Sequence, residues 1–163
     1  MQALSQLTRF LELVLLWLLA VLFGVLCLTV FYQVLVRNVF GGGGLWTFDI
    51  AQLSLTWCVF LGAAVAVRRG MHYYVEILPG SFVKTNRVMK LCSDLAIMIV
   101  AVVLLFYGFD FLDTGSATDQ DTLPFSMYWN YLPLPASGGF MLVFLIEIWI
   151  ADLAALRSSA QPA

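Results

Sequence analysis

Charge is scarce in this sequence. Only 11% of its 163 residues are Asp, Glu, Lys or Arg, whereas 62% are hydrophobic. A soluble domain of that composition would leave more apolar surface in water than it could bury, while a polytopic membrane protein turns that surface to lipid. A net charge of −2 with no Lys/Arg-rich run excludes a nucleic-acid partner. Histidine is scarcer still. His72 alone excludes a haem held by two histidines of one chain, and a His-rich metal site. A Ser-His-Asp triad would have to be built around that interfacial residue, which reads as a surface histidine in preference to a proton relay. Cys27, Cys58 and Cys92 lie in or beside apolar runs without CxxC spacing, and read as small hydrophobes, not as a disulfide or metal set. The glycine run 41–44 lacks the spacing and the Lys-Ser/Thr of a phosphate loop and suits a turn. No catalytic group and no cofactor is expected in this chain.

What is present is a set of long apolar runs. Between Asp49 and Arg68 no side chain is charged, and about 18 helical residues at 1.5 Å each reach roughly 27 Å, close to a bilayer's hydrocarbon thickness. Runs of similar length predict an all-α integral membrane protein with four spans, at about 13–36, 49–67, 91–112 and 127–150, as a single membrane domain. The first run is too long for a signal peptide and has no cleavage site. Pro79-Gly80 breaks the chain, and Ser81 is placed to cap an interfacial helix over about 81–90. Pro133 and Pro135 predict an irregular turn in the outer third of the fourth span, and residues 158 to 163 read as disordered. Arg9, Arg68, Arg69, Lys84, Arg87, Lys90 and Arg157 fall on one face of the membrane, against Arg37 alone on the other. Basic residues are retained inside, so both termini are expected in the cytoplasm.

The ends of the spans carry the candidate contacts. Arg68, Arg69, Lys84, Arg87 and Lys90 are expected to hold lipid headgroups or a cytoplasmic partner's acids. At the outer end Asp110, Asp113, Asp119 and Asp121 follow one another with no basic residue between them. Arg37, Asp49, Asp119 and Asp121 are the candidate face for a periplasmic partner. Trp46, Tyr128 and Trp129 suit the interface, and Thr47 and Asp49 suit the unpaired N–H groups that open the second helix. Gly62 and Ala66, four apart, and Gly138 with Gly139 are candidates for subunit packing; small residues are also simply common in membrane helices. Asp94 reads as a shallow carboxylate paired with Lys90 in preference to a functional group at depth. The midplane positions are Leu, Val, Phe, Ala and Cys, and no inverted repeat is visible, which suits a scaffold better than a transporter acting alone. The alternative is a self-sufficient oligomeric exporter with Glu12, Asp94 or Glu147 as its proton site; a quinone-linked redox subunit ranks below both.

Several stretches resemble one family. Trp46-Thr47-Phe48-Asp49-Ile50-Ala51, Trp57, Phe60-Leu61-Gly62-Ala63-Ala64 and Ala66-Val67-Arg68-Arg69-Gly70-Met71-His72 look like the small membrane subunit of tripartite ATP-independent periplasmic (TRAP) transporters, the DctQ type. Arg37-Asn38-Val39-Phe40, Val75-Glu76, Leu78-Pro79 and Pro124-Phe125-Ser126-Met127-Tyr128 extend the likeness over roughly 10–155. Phe48 departs from it, since the family often carries a second acid beside the one matched by Asp49. The resemblance implies a multi-pass protein of the bacterial inner membrane that is not an enzyme. It would form a heterodimer with a large transport subunit, stabilise it, and work with a periplasmic solute-binding protein in the symport of carboxylated solutes. Sodium would bind in the large subunit.

Overall fold

The computed structural model describes residues 2–42, 44–70, 83–120 and 122–159. Among the described residues five helices follow in order: α1 Gln2–Phe40, α2 Trp46–Arg68, α3 Val83–Ser116, α4 Tyr128–Tyr131 and α5 Pro133–Ser159. With α4 and α5 forming one crossing, four segments are long and apolar enough to span a membrane: Ser5–Phe40, Trp46–Arg68, Cys92–Ser116 and Tyr128–Ile150. Among the described residues there is no strand; Asp119 and Ser126 form an isolated antiparallel bridge.

Local chemistry sets where the helices stop. The α1 sequence holds neither proline nor a glycine pair, so its helix runs well beyond the apolar stretch 13–36, and it ends where Gly41 takes φ +66°. Gly70 ends α2 in the same way at φ +62°, with its N–H donating to the Val67 carbonyl at 3.1 Å. Such left-handed positions strain any residue with a Cβ. α3 is one uninterrupted helix from Val83 through the expected interfacial segment into the span. The chain stays helical through Leu132 between α4 and α5, and Pro133, which has no N–H, withholds from the Trp129 carbonyl its usual helical donor. Residues 158 and 159, expected to be disordered, continue α5 as helix. His72, Pro79-Gly80, Ser81, Asp121 and residues 160–163 lie outside the described residues.

The helices pack as an open row. α1 lies on α2, α2 on α5, and α5 with α4 on α3; among the described residues α1 and α3 do not meet. Phe144 of α5 is fully buried at the centre of a core with Leu15, Leu61, Ala64, Ala101, Met141 and Leu145. α3 and α5 approach closely. A Cβ on Gly138 would stand 2.7 Å from the Ala101 carbonyl oxygen and the Leu105 nitrogen, and one on Gly108 would stand 2.7 Å from the Pro135 nitrogen. Tyr131 and Tyr128 lie against Gly115 in turn. Ala101, Gly108 and Gly115 recur every seventh residue of α3, and this stripe lets two backbones meet where lipid provides no hydrophobic drive.

Candidate functional site

The inner and outer ends of the row are built differently. At the inner end, where α1, α2 and α5 converge, Arg68 is held between two acids. Its guanidinium pairs with Glu147 of α5, its Nε lies 3.6 Å from the Glu12 carboxylate of α1, and its charge sits 5.7 Å from the Phe144 ring centre. Arg69 donates to Glu12 at 2.8 Å. Two arginines and two glutamates make a neutral quartet. Their position follows from α2 ending in Arg68-Arg69 at the depth where the apolar runs of α1 and α5 meet Glu12 and Glu147. The arginines expected to reach headgroups or a partner's acids therefore have acids of their own chain as counter-ions. Asp94 of α3 is buried, and both it and Lys90 are engaged within the chain. The side chains of Lys84 and Arg87 lie outside the described residues.

At the outer end the central residue is Asp49. It is expected to serve the N-terminus of its own helix and to face a partner, but only 4% of it is exposed, and it accepts from the N–H of Thr122 at 3.2 Å and from the Thr122 hydroxyl. α2 opens instead without a side-chain cap, while Thr47, fully buried, donates its hydroxyl to the Gly44 carbonyl at 2.7 Å. Asp49 thus ties α2 to the loop before α4. The Trp57 indole N–H adds a second tie, donating to the Trp129 carbonyl at 3.0 Å. Arg37 and Asp119 are exposed. Trp46 packs on Tyr32 with ring centres 5.8 Å apart, and Trp129, half exposed, stands edge-on to Tyr128.

The small residues divide. Gly138 is filled by α3 of the same chain, so it is not an outward packing face. Gly62 and Gly139 have no heavy atom within 4 Å of where a Cβ would stand, and Ala66 is half-buried. Sequence reasoning missed Glu12 and Glu147 as partners of Arg68, Thr122 as partner of Asp49, and the α3 stripe. Only the stripe had a readable signal, its seven-residue spacing. Among the described residues no three His, Cys, Asp or Glu side chains gather as a metal site.

The family model described as "Tripartite ATP-independent periplasmic transporters, DctQ component" matches residues 26–155. The chain belongs to the DctQ family. It is also similar to the sialic acid TRAP transporter small permease protein SiaQ of Vibrio cholerae serotype O1, at 23% identity over 117 residues covering 71% of this chain and 68% of that protein. A DctQ component is a transporter part and not an enzyme, and the four apolar crossings accord with a multi-pass protein of the inner membrane. The DctQ match takes in Asp49, Arg68, Arg69, Thr122 and Glu147, whereas Glu12 lies before its first residue.

Proposed function

We propose that this chain is the scaffold subunit of a sodium-coupled, binding-protein-dependent importer of carboxylated solutes, anchoring and stabilising a large transport subunit. The observation that carries the reading is where charge is missing. Between Asp49 and Arg68 the buried residues of α2 are Ser54, Leu61, Ala64, Val65 and Val67, and the acids at the helix ends are engaged: Asp49 with Thr122, Glu12 and Glu147 with arginines. A solute or coupling-ion pathway needs ionisable or strongly polar groups near the midplane, and the described residues of α2 bring no charged side chain there. The exporter reading loses support for the same reason, since Glu12 and Glu147 are paired with arginines of their own chain. Both termini are proposed to lie in the cytoplasm, on the side that carries most of the basic residues.

Gly62, Ala66 and Gly139 are proposed as contacts for the large subunit; at Gly62 and Gly139 a helix can approach without displacing anything among the described residues. Lys84, Arg87 and Lys90, at the start of α3, are proposed to meet headgroups or that subunit's cytoplasmic acids. Arg37, Asp119 and Asp121 are proposed for the periplasmic partner. The test is uptake into proteoliposomes. A carboxylated solute, sialic acid being the first to assay, is expected to enter only when this chain, the large subunit, the binding protein and an inward sodium gradient are all present. Uptake by this chain alone would overturn the reading.

A further inference from the structure

We propose that Arg9 of α1 and Arg69 at the end of α2 hold the phosphate of one anionic phospholipid at the seam between the two helices, in the leaflet that meets the Arg68 end of the row. Depth places the pair where such phosphates lie. Tyr32 packs on Trp46 at the opposite end of the crossing, and the 20 residues of α1 from Glu12 to Tyr32 rise about 30 Å, the thickness of the hydrocarbon core. Glu12 therefore marks the plane where hydrocarbon ends. Arg69 is joined to Glu12 at that plane, and Arg9 stands about 4.5 Å beyond it, one turn earlier on the same side of α1.

The donors at this plane are not all used. Arg68 is engaged on both sides, by Glu147 and by Glu12. Arg69 donates to Glu12 through Nε, at 2.8 Å, and its two Nη groups meet no acceptor among the described residues. Its side chain is 47% exposed, so those groups are open to an incoming anion. The bond at Nε fixes the guanidinium plane, and the Arg69 main chain is tied in turn, its N–H donating to the Val65 carbonyl at 3.0 Å. A fork of N–H groups held in one orientation suits the paired oxygens of a phosphate. Arg9 is exposed, and among the described residues no acid is paired with it. The charges agree with the geometry: Arg9, Arg68 and Arg69 stand beside Glu12 and Glu147, which leaves one positive charge over, and a phosphodiester carries one negative charge. Leu13 and Trp17, one and two turns deeper than Arg9 on the same side of α1, are exposed and give the acyl chains an apolar surface. A soluble anion would use the arginines but not that surface, so the occupant is a lipid.

The test is native mass spectrometry of the full chain in detergent, titrated with phosphatidylglycerol, phosphatidylcholine or inorganic phosphate. Phosphatidylglycerol is expected to bind at least about fivefold more tightly than phosphatidylcholine, and inorganic phosphate is expected not to displace it. Arg9→Gln and Arg69→Gln should each weaken its binding about fivefold, and together at least about tenfold. Arg69→Lys, which keeps the charge without the fork, should weaken it about twofold, and Arg37→Gln, at the other end of the crossing, less than that. A phosphatidylglycerol with a photoactivatable group beside its phosphate is expected to label α1 near Phe10 and Leu13. Equal binding of the two lipids, unchanged binding in the double variant, or labelling confined to α3 and α5 would overturn the site. So would displacement of the lipid by inorganic phosphate, which marks a site for a soluble anion, or by the large subunit, whose acids would then be what the arginines meet. None of these outcomes touches the scaffold reading, which the uptake assay decides.

Discussion

Arg68 and Arg69 are neighbours in sequence, yet their replacement by glutamine is expected to have very different consequences. The Arg68 side chain is 17% exposed, and its partners Glu147 and Glu12 are 15% and 20% exposed. At an effective dielectric near 20, unit charges 4 Å apart interact by about 4 kcal/mol. Breaking a fully buried pair by removing one partner costs about 3–5 kcal/mol, because the other charge is stranded. The residual exposure of Glu147 lets water recover roughly half of that, and loss of the Phe144 contact adds about 0.5 kcal/mol. Arg68→Gln is therefore expected to destabilise the chain by about 2–3 kcal/mol. The Arg69 side chain is 47% exposed, and its 2.8 Å pair with Glu12 is screened by water, so Arg69→Gln should cost under about 1 kcal/mol. Equilibrium unfolding in mixed micelles at rising SDS fraction measures both. Replacing Arg68 and Glu147 together by leucine removes both ions and should recover most of the loss, giving a coupling energy of opposite sign to the single effects. Equal destabilisation by the two arginine variants, or a double variant as unstable as the sum of its singles, would refute the reasoning.

Further outcomes follow from the outer tie and the glycines. Asp49→Asn keeps a side-chain oxygen for Thr122 and should cost about 1 kcal/mol, whereas Asp49→Ala leaves the Thr122 donors unmet and should cost about 2 kcal/mol; faster hydrogen exchange at 118–127 in the alanine variant alone checks it. Gly138→Ala drives a methyl into the α3 backbone and should destabilise the isolated chain by about 1–3 kcal/mol, while Gly139→Ala changes its unfolding by less than about 0.5 kcal/mol. Gly62→Leu should leave the unfolding of the isolated chain unchanged and weaken copurification with the large subunit at least about tenfold; undiminished copurification would remove Gly62 from the proposed interface.

Much of the architecture could be read before any coordinates. Charge-free runs of membrane length are set by composition alone, since a polar backbone in lipid must bond within its own segment and a helix is the only open structure that does so. The glycine run after the first span and the proline pair in the fourth marked backbone interruptions through local sterics. The DctQ likeness was also legible, because Phe60 to His72 is a continuous stretch of sequence.

The partners of the charged residues were not legible. Arg68 and Arg69 read alike in sequence, as did Gly138 and Gly139, and Asp49 looked like a residue that serves its own helix. Only the packing of α5 between α2 and α3 decided that Arg68 meets Glu147, that Gly138 is filled by Ala101 and Leu105, and that Asp49 reaches Thr122, 73 positions away. The physical reason is one of range. Hydropathy and chain sterics act over a few residues and set the number, length and ends of the helices; the pairing of charges and the filling of glycine grooves depend on which faces meet, and that belongs to the row of helices as a whole.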